Sequence, residues 1–160
     1  MSNQNDSSPQ SLDAVREKVT QILHRDFGPI QIDWKTLVDR DGLQQWYADV
    51  RLAGTSVYVE INEPAPVEDA SEAGFDEANF PSVMFSVRLT NRFMFPTHIL
   101  QIYSMLTAHH RIDLNPGHDM KNLWIESASV RVPANALNTR RLRDQIRALV
   151  ELELRLKTMT

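Results

Sequence analysis

The chain has 160 residues, 42% of them hydrophobic, and a formal net charge of −4. This composition suits a globular domain with an adequate core. No cysteine is present, which excludes a disulfide framework, thiolate metal ligands and a cysteine nucleophile. No apolar run reaches the roughly 20 residues that a membrane helix needs, and residues 1–10 lack a signal-peptide pattern. We therefore expect a cytoplasmic protein with no membrane segment, comprising a disordered tail over residues 1–10 and a single domain over residues 11–158.

Charge is distributed unevenly along the chain. Residues 1–80 contain 6 Lys+Arg against 15 Asp+Glu, whereas residues 81–160 contain 11 against 6. The two halves of one small domain can neutralise each other. The alternative is that a partner docks on one charged face.

The first predicted element is an amphipathic helix. Ser8 or Ser11 can cap it, and Pro9 suits its first turn. Gly28 followed by Pro29 ends it, because glycine adopts the left-handed cap and proline cannot continue a helix. Its apolar stripe comprises Leu12, Val15, Val19, Ile22, Leu23 and Phe27.

An extended lead-in and a hairpin follow. The lead-in contains the alternating apolar residues Ile30, Ile32 and Trp34 and closes at a turn over residues 39–42, which lacks the further ligands of a calcium loop. Gly54 suits the first central position of a two-residue hairpin turn. The resulting register places three apolar pairs on one face: Leu52 with Val57, Val50 with Val59, and Ala48 with Ile61. It also opposes Asp49 to Glu60, an unfavourable like-charge pair.

An acidic segment over residues 62–81 separates the hairpin from the next strand. It contains no basic residue, and its prolines and Gly74 discourage regular structure, so we predict a long mobile loop. Phe75 and Phe80 are its large apolar residues. They pin the loop to the domain, or they belong to a docking segment for a basic partner.

A third strand, with alternating apolar residues from Val83 to Leu89, precedes a helix predicted over residues 97–110. The apolar residues of this helix cover an arc of roughly 220°, which is wider than one sheet face needs. A second surface must cover the remainder, either from this chain or, as we favour, from a second copy in a homodimer. The predicted partner interface comprises Ile99, Leu100, Ile102, Tyr103, Met105, Leu106, Phe75 and Phe80.

Two strands and a helix complete the chain. Apolar residues alternate at Ile112 and Leu114, and again at Trp124, Ala128, Val130 and Val132. Glu126 falls in phase with the second set, and a bulge or a sheet edge explains it better than a catalytic acid does. Asn138 is predicted to cap the last helix. Leu142, Ile146, Leu149, Val150, Leu152 and Leu156 form the inner stripe of this helix, with Arg140, Arg141, Arg143 and Arg147 largely outside.

Few residues suggest catalysis or ligand chemistry. His109 or His110 with His118 and Asp119 could form a mixed metal site, which leaves a metal- or small-ligand-binding enzyme as the alternative function. The 5 glycines are too dispersed for a phosphate-binding loop, and no serine lies between glycines as in a nucleophile elbow. Nucleic-acid binding through the arginines of the last helix conflicts with the negative net charge. We therefore assign no catalytic residue, cofactor or metal site.

The predicted fold is α+β, an antiparallel sheet with helices packed on it, in the order α-β-β-β-α-β-β-α. From residue 11 onward this order resembles the type III secretion chaperone-like fold, a group that includes the YbjN-like bacterial proteins. The resemblance includes the lead-in ending at Asp39–Gly42, the hairpin at Gly54 and the passage through Val130–Pro133 into the arginine-rich helix. It implies a small acidic homodimer without catalytic residues, in which exposed apolar grooves hold a partner polypeptide in extended form. We therefore expect a non-enzymatic protein-binding module, chaperone-like or regulatory.

Overall fold

The computed structural model describes residues 11–64, 80–95, 110–116 and 123–159. In these residues a six-stranded antiparallel sheet carries two helices, which confirms the α+β prediction. The helices are α1 (Leu12–Phe27) and α2 (Arg140–Met159), the latter preceded by a 3₁₀ turn (Ala134–Ala136). The strands are β1 (Lys35–Val38), β2 (Gln44–Leu52), β3 (Thr55–Asn62), β4 (Ser82–Phe95), β5 (His110–Pro116) and β6 (Leu123–Pro133). They lie in the order β1-β2-β3-β4-β6-β5.

Helix α1 ends where the sequence predicts and begins after Ser11, one of its two predicted caps. Its first turn starts at Leu12, so the prediction that this turn contains Pro9 is wrong. The Ser11 hydroxyl accepts a hydrogen bond from the Ala14 amide at 3.1 Å, which satisfies one of the free N–H groups of the first turn. Gly28 adopts a φ of 86° and donates its N–H to the His24 carbonyl, which ends the helix. The predicted stripe is confirmed: Leu12, Val15, Val19, Ile22 and Leu23 are buried, and Phe27 packs against the core at partial exposure.

The turn of the β2–β3 hairpin differs from the prediction by one position. Ala53 and Gly54 are its two central residues, with φ of 52° and 85°, as in a type I′ turn. Leu52 therefore faces Thr55, and every pair shifts by two residues from the predicted register. The predicted pairs are wrong, but the predicted apolar face is right, because a two-residue shift keeps each side chain on its own face. The observed pairs are Val50–Val57, Ala48–Val59 and Trp46–Ile61.

Strand β1 is a short edge strand that the sequence pattern does not predict. All of its residues are exposed, and among the described residues it pairs only with β2. The turn that follows it is confirmed, because the Asp39 carboxylate accepts hydrogen bonds from the amides of Asp41 and Leu43, both at 2.9 Å. Gly42 adopts a φ of 80° there. The Asp39 carboxylate therefore stabilises its own turn.

Glu126 lies at an irregularity of strand β6. On the β5 side, Asp113 pairs with Ser127 and Leu114 pairs with Ile125, so Glu126 has no cross-strand partner there. A register shift occurs at the same point on the β4 side. The interpretation of Glu126 as a bulge residue is confirmed.

Helix α2 is capped by Thr139 and not by Asn138. The Thr139 hydroxyl accepts a hydrogen bond from the Leu142 amide at 3.1 Å, as an N-cap does. Asn138 instead accepts a hydrogen bond from Arg25 of α1 at 2.9 Å. The predicted inner stripe is buried at Leu142, Ile146, Leu149, Val150 and Leu152, whereas the side chain of its last member, Leu156, lies outside the described part of the chain. Arg140, Arg141 and Arg147 are exposed, and Arg143 is half-buried.

Candidate functional site

The sheet has two chemically different faces, because successive side chains of a strand point to opposite sides. The face that packs against α1 and α2 is apolar, and Phe85 of β4 is a fully buried residue at its centre. The opposite face is polar. Four cross-strand neighbours form a row on it from β2 to β6: Asp49, Tyr58, Ser86 and Ser129.

A groove of about 800 Å³ runs across this polar face over strands β2, β3, β4 and β6. It is lined by Asp49, Thr55, Ser56, Tyr58, Ser86, Val87, Arg88, Leu89, Glu126 and Ser127. Its volume lies within the usual range of ligand pockets. Val87 and Leu89 are buried core residues, so the polar side chains of the groove stand on a packed support.

Tyr58 is held in the groove by a neighbour on its own strand. Its hydroxyl donates a hydrogen bond to Glu60 Oε1 at 2.8 Å, and the Asn62 side-chain amide donates to Glu60 Oε2 at 2.7 Å. Burial, reinforced by the hydrogen bond and the charge of Glu60, raises the pKa of Tyr58. The phenol therefore stays protonated at neutral pH and acts as a hydrogen-bond donor and not as a base. The ring of Tyr47 lies 6.4 Å away between centroids and extends this aromatic surface.

Asp49 and Arg88 are exposed charges of the groove. Within the described part of the chain, neither side chain makes an ion pair or a hydrogen bond. The predicted opposition of Asp49 to Glu60 is wrong, because Asp49 faces Tyr58. Arg88 lies beside Ser127, whose hydroxyl donates to Asp113 Oδ2 at 3.1 Å.

The groove is equipped for recognition through hydrogen bonds and ion pairs. Asp49 and Glu126 supply carboxylates, Arg88 supplies a guanidinium, and Ser56 and Ser86 supply hydroxyls that can donate or accept. A ligand that fits this surface must itself present donors, acceptors and charge. A purely apolar ligand would leave these polar groups without partners.

Most residues of the predicted partner interface lie outside the described residues: Ile99, Leu100, Ile102, Tyr103, Met105, Leu106 and Phe75. Phe80 is described and is half-buried. The predicted end of the middle helix at His110 is wrong, because His110 begins strand β5 and pairs with Val130. Tertiary pairing with β6 determines the conformation of His110, which the local helical pattern could not indicate.

The histidine hypothesis is only partly covered by the structure. Nε2 of His110 lies 3.1 Å from the Gln145 carbonyl oxygen of α2, so this nitrogen donates its proton and does not bind a metal. His109, His118 and Asp119 lie outside the described residues. In the residues that the structure describes, no group of three or more potential metal ligands comes together.

The sequence does not identify the residues of the groove, although polar and apolar residues alternate regularly along each strand. Asp49, Tyr58, Ser86 and Arg88 alternate with the apolar residues that define the core, so each strand signals a polar face. The signal does not say which strands are neighbours. Only the strand order brings these four positions together.

Comparisons with protein-family models, curated proteins and solved structures found no match to this chain. The resemblance to the chaperone-like fold therefore stays a prediction from the order of elements. No helix within the described residues is long and apolar enough to cross a membrane.

Proposed function

We propose that the protein is a non-enzymatic protein-binding module, chaperone-like or regulatory, which holds an extended polypeptide segment in the groove. The observation that carries the proposal is the groove itself, in which Tyr58, Asp49 and Arg88 stand on the sheet face opposite the helices, and neither charge pairs with another described residue. Tyrosine and arginine are enriched in protein interfaces, and non-obligate interfaces are about as polar as the rest of a protein surface.

The charges of the groove define the partner segment. Asp49 and Glu126 can each bind a lysine or arginine side chain, whereas Arg88 can bind a carboxylate. We therefore expect a mixed-charge segment with a basic excess. Its binding should weaken as the salt concentration rises, since exposed charge pairs are screened by ions.

The proposal also includes a homodimer formed by residues of the predicted middle helix, membership of the YbjN-like group and a cytoplasmic location. These parts rest on the apolar arc of residues 97–110 and on the order of elements. Light scattering that shows a monomer at every concentration would remove the dimer from the proposal.

A charge reversal in the groove tests the binding function. Arg88→Glu changes an exposed groove residue, and Arg141→Glu makes the same charge change on the exposed face of α2. Tagged wild type and both variants are purified from the native host, and co-purifying proteins are quantified by mass spectrometry. We expect one polypeptide to persist with Arg141→Glu and to fall about tenfold with Arg88→Glu, which corresponds to about 1.4 kcal/mol. Equal recovery from the two variants would contradict the proposal.

Photo-cross-linking locates the contact directly. A photoreactive amino acid replaces Ser86 in the groove or, as a control, Glu151 on α2. Irradiation of the purified complex should attach the partner through position 86 and not through position 151. Attachment through position 151 alone would place the partner on the helical face and contradict the proposed site.

A further inference from the structure

Strand β1 has two of the features that protect a sheet edge, its four-residue length and Lys35, but it also exposes two large apolar side chains. Leu37 is 40% exposed and Val38 is 66% exposed, and as neighbours in a strand they point to opposite faces. Within the described part of the chain, β2 is the sole neighbour of β1. Edge strands present unpaired backbone groups to other chains, and natural proteins usually protect them with charges, prolines or bulges. Two exposed apolar side chains on such an edge favour a partner strand.

The turn after β1 determines which of its backbone groups are free. The Asp39 amide donates to the Leu43 carbonyl at 2.9 Å, so these two residues form a hydrogen-bonded pair of the β1–β2 ladder. Hydrogen-bonded and non-hydrogen-bonded pairs alternate along an antiparallel ladder. The backbone N–H and C=O groups of Leu37 therefore bond to β2, whereas those of Thr36 and Val38 point toward the open edge.

We propose that β1 pairs in antiparallel fashion with β1 of a second copy of this chain, about a two-fold axis at Leu37. In this register Thr36 faces the partner's Val38, and the two outward-facing pairs form about four hydrogen bonds. Leu37 faces its own counterpart, and Lys35 faces the partner's Asp39, a favourable opposite-charge pair. A two-fold axis at Thr36 would place Leu37 opposite the partner's Lys35, and an axis at Val38 would place Leu37 opposite the partner's Asp39. Both registers therefore lose the apolar pair and the opposite-charge pair.

Self-complementarity favours a second copy over an unrelated strand. Lys35 has no partner among the described residues. Asp39 uses only its Oδ1 atom for the amides of its turn, which leaves its other oxygen for a lysine. The paired surface is short, so we expect a weak dimer in exchange with the monomer. Strand β1 contributes no residue to the groove, so pairing through β1 is independent of the proposed function.

The absence of cysteine from the sequence allows a direct test of the register. Leu37→Cys places two thiols in a non-hydrogen-bonded pair with Cα atoms about 4.5 Å apart, within disulfide range. Val38→Cys is the control, because its two copies would be diagonal neighbours about 7–8 Å apart, beyond that range. Val38 is also the more exposed residue, so random collisions would favour the control. Under mild oxidation we expect Leu37→Cys to form disulfide dimers about tenfold faster or more. Equal rates, no dimer from either variant, or faster dimer formation by Val38→Cys would overturn the proposal.

A backbone substitution tests the hydrogen bonds. Val38→Pro removes an N–H that faces the open edge, a position where an edge strand tolerates proline. In a Leu37→Cys background, Val38→Pro should abolish the disulfide dimer, whereas Val38→Thr should preserve the dimer. Circular dichroism confirms that each variant is folded before oxidation. Undiminished cross-linking by the proline variant would overturn strand pairing, and a dimer that persists in light scattering would then belong to the predicted middle-helix interface.

Discussion

Among single residues, Tyr58 gives a testable link between geometry and stability. Tyr58→Phe removes the hydroxyl that donates to Glu60 Oε1 at 2.8 Å but leaves Glu60 with its bond from Asn62. We expect the variant to lose about 1–2 kcal/mol of unfolding free energy at pH 8, measured by urea denaturation, because a hydrogen bond to a charged carboxylate contributes more than a neutral one and this bond is only partly buried. Tyr47→Phe is the matched control, since the Tyr47 hydroxyl makes no hydrogen bond in the described part of the chain. Its change should stay within about 0.5 kcal/mol.

Wild type and Tyr58→Phe should also differ in how their unfolding free energies depend on pH. Burial and Glu60 raise the pKa of Tyr58 in the folded state above the ordinary tyrosine value of about 10. Above pH 10 the unfolded state loses the phenolic proton while the folded state keeps it, so wild-type stability falls as the pH rises. Tyr58→Phe lacks this proton, and the stability advantage of the wild type should therefore shrink between pH 8 and pH 11. An advantage that is constant or grows would contradict the assigned environment of Tyr58.

At the scale of the element, the β2–β3 turn contains a residue in an unfavourable conformation. Ala53 has a φ of 52°, a left-handed region that a Cβ atom disfavours and asparagine tolerates. Asn-Gly is the preferred sequence of a type I′ turn, so Ala53→Asn should stabilise the protein by about 0.5–1 kcal/mol. Gly54→Ala, at a φ of 85°, should destabilise it. Denaturation midpoints that move in the opposite directions would disprove the turn assignment.

The N-terminus of α2 offers a second comparison of neighbouring residues. Thr139→Ala removes the hydroxyl that accepts the Leu142 amide and should cost about 1 kcal/mol of unfolding free energy. Asn138→Ala removes an exposed side-chain bond to Arg25 and should cost less than half as much. Urea denaturation of the two variants decides between the caps. A larger loss for Asn138→Ala would restore the cap predicted from sequence.

These elements show why the sequence predicts which face of a strand is buried better than it predicts which residues pair across strands. The apolar alternation of β2 and β3 gives the correct face, but a register that is two residues off satisfies it equally well. The turn decides between the two registers. A positive φ is sterically unfavourable for alanine, so sequence rules favour a turn in which Gly54, and not Ala53, is the first central residue. Strand β1 went unpredicted because all of its side chains are exposed and leave no alternation to detect. The groove could not be predicted because polar positions carry no information on strand order.

For the molecule as a whole, contacts between distant segments make the two helices parts of one core. The Thr55 hydroxyl of the hairpin donates to the Val150 carbonyl of α2 at 3.0 Å. The guanidinium of Arg147 lies 5.8 Å from the ring centroid of Phe27, which joins α2 to the end of α1. Both helices contribute buried residues to the same cluster against one sheet face. We therefore expect the described domain to unfold as one cooperative unit.

Leu149→Ala tests this cooperativity, since Leu149 is fully buried in α2 and its truncation should cost about 2–5 kcal/mol. Trp34 and Trp46 report on the opposite helix, because their indole N–H groups donate to Thr20 and Asp13 of α1 at 3.1 and 3.2 Å. All the proteins compared carry Trp124→Phe, because Trp124 of β6 would otherwise contribute to the fluorescence. In a shared core, circular dichroism and the fluorescence of Trp34 and Trp46 must shift to the same lower denaturation midpoint. Arg141→Ala, on the exposed face of α2, should leave both midpoints in place. A fluorescence midpoint that stays at its wild-type value while the dichroism midpoint falls would show that α1 and α2 unfold independently.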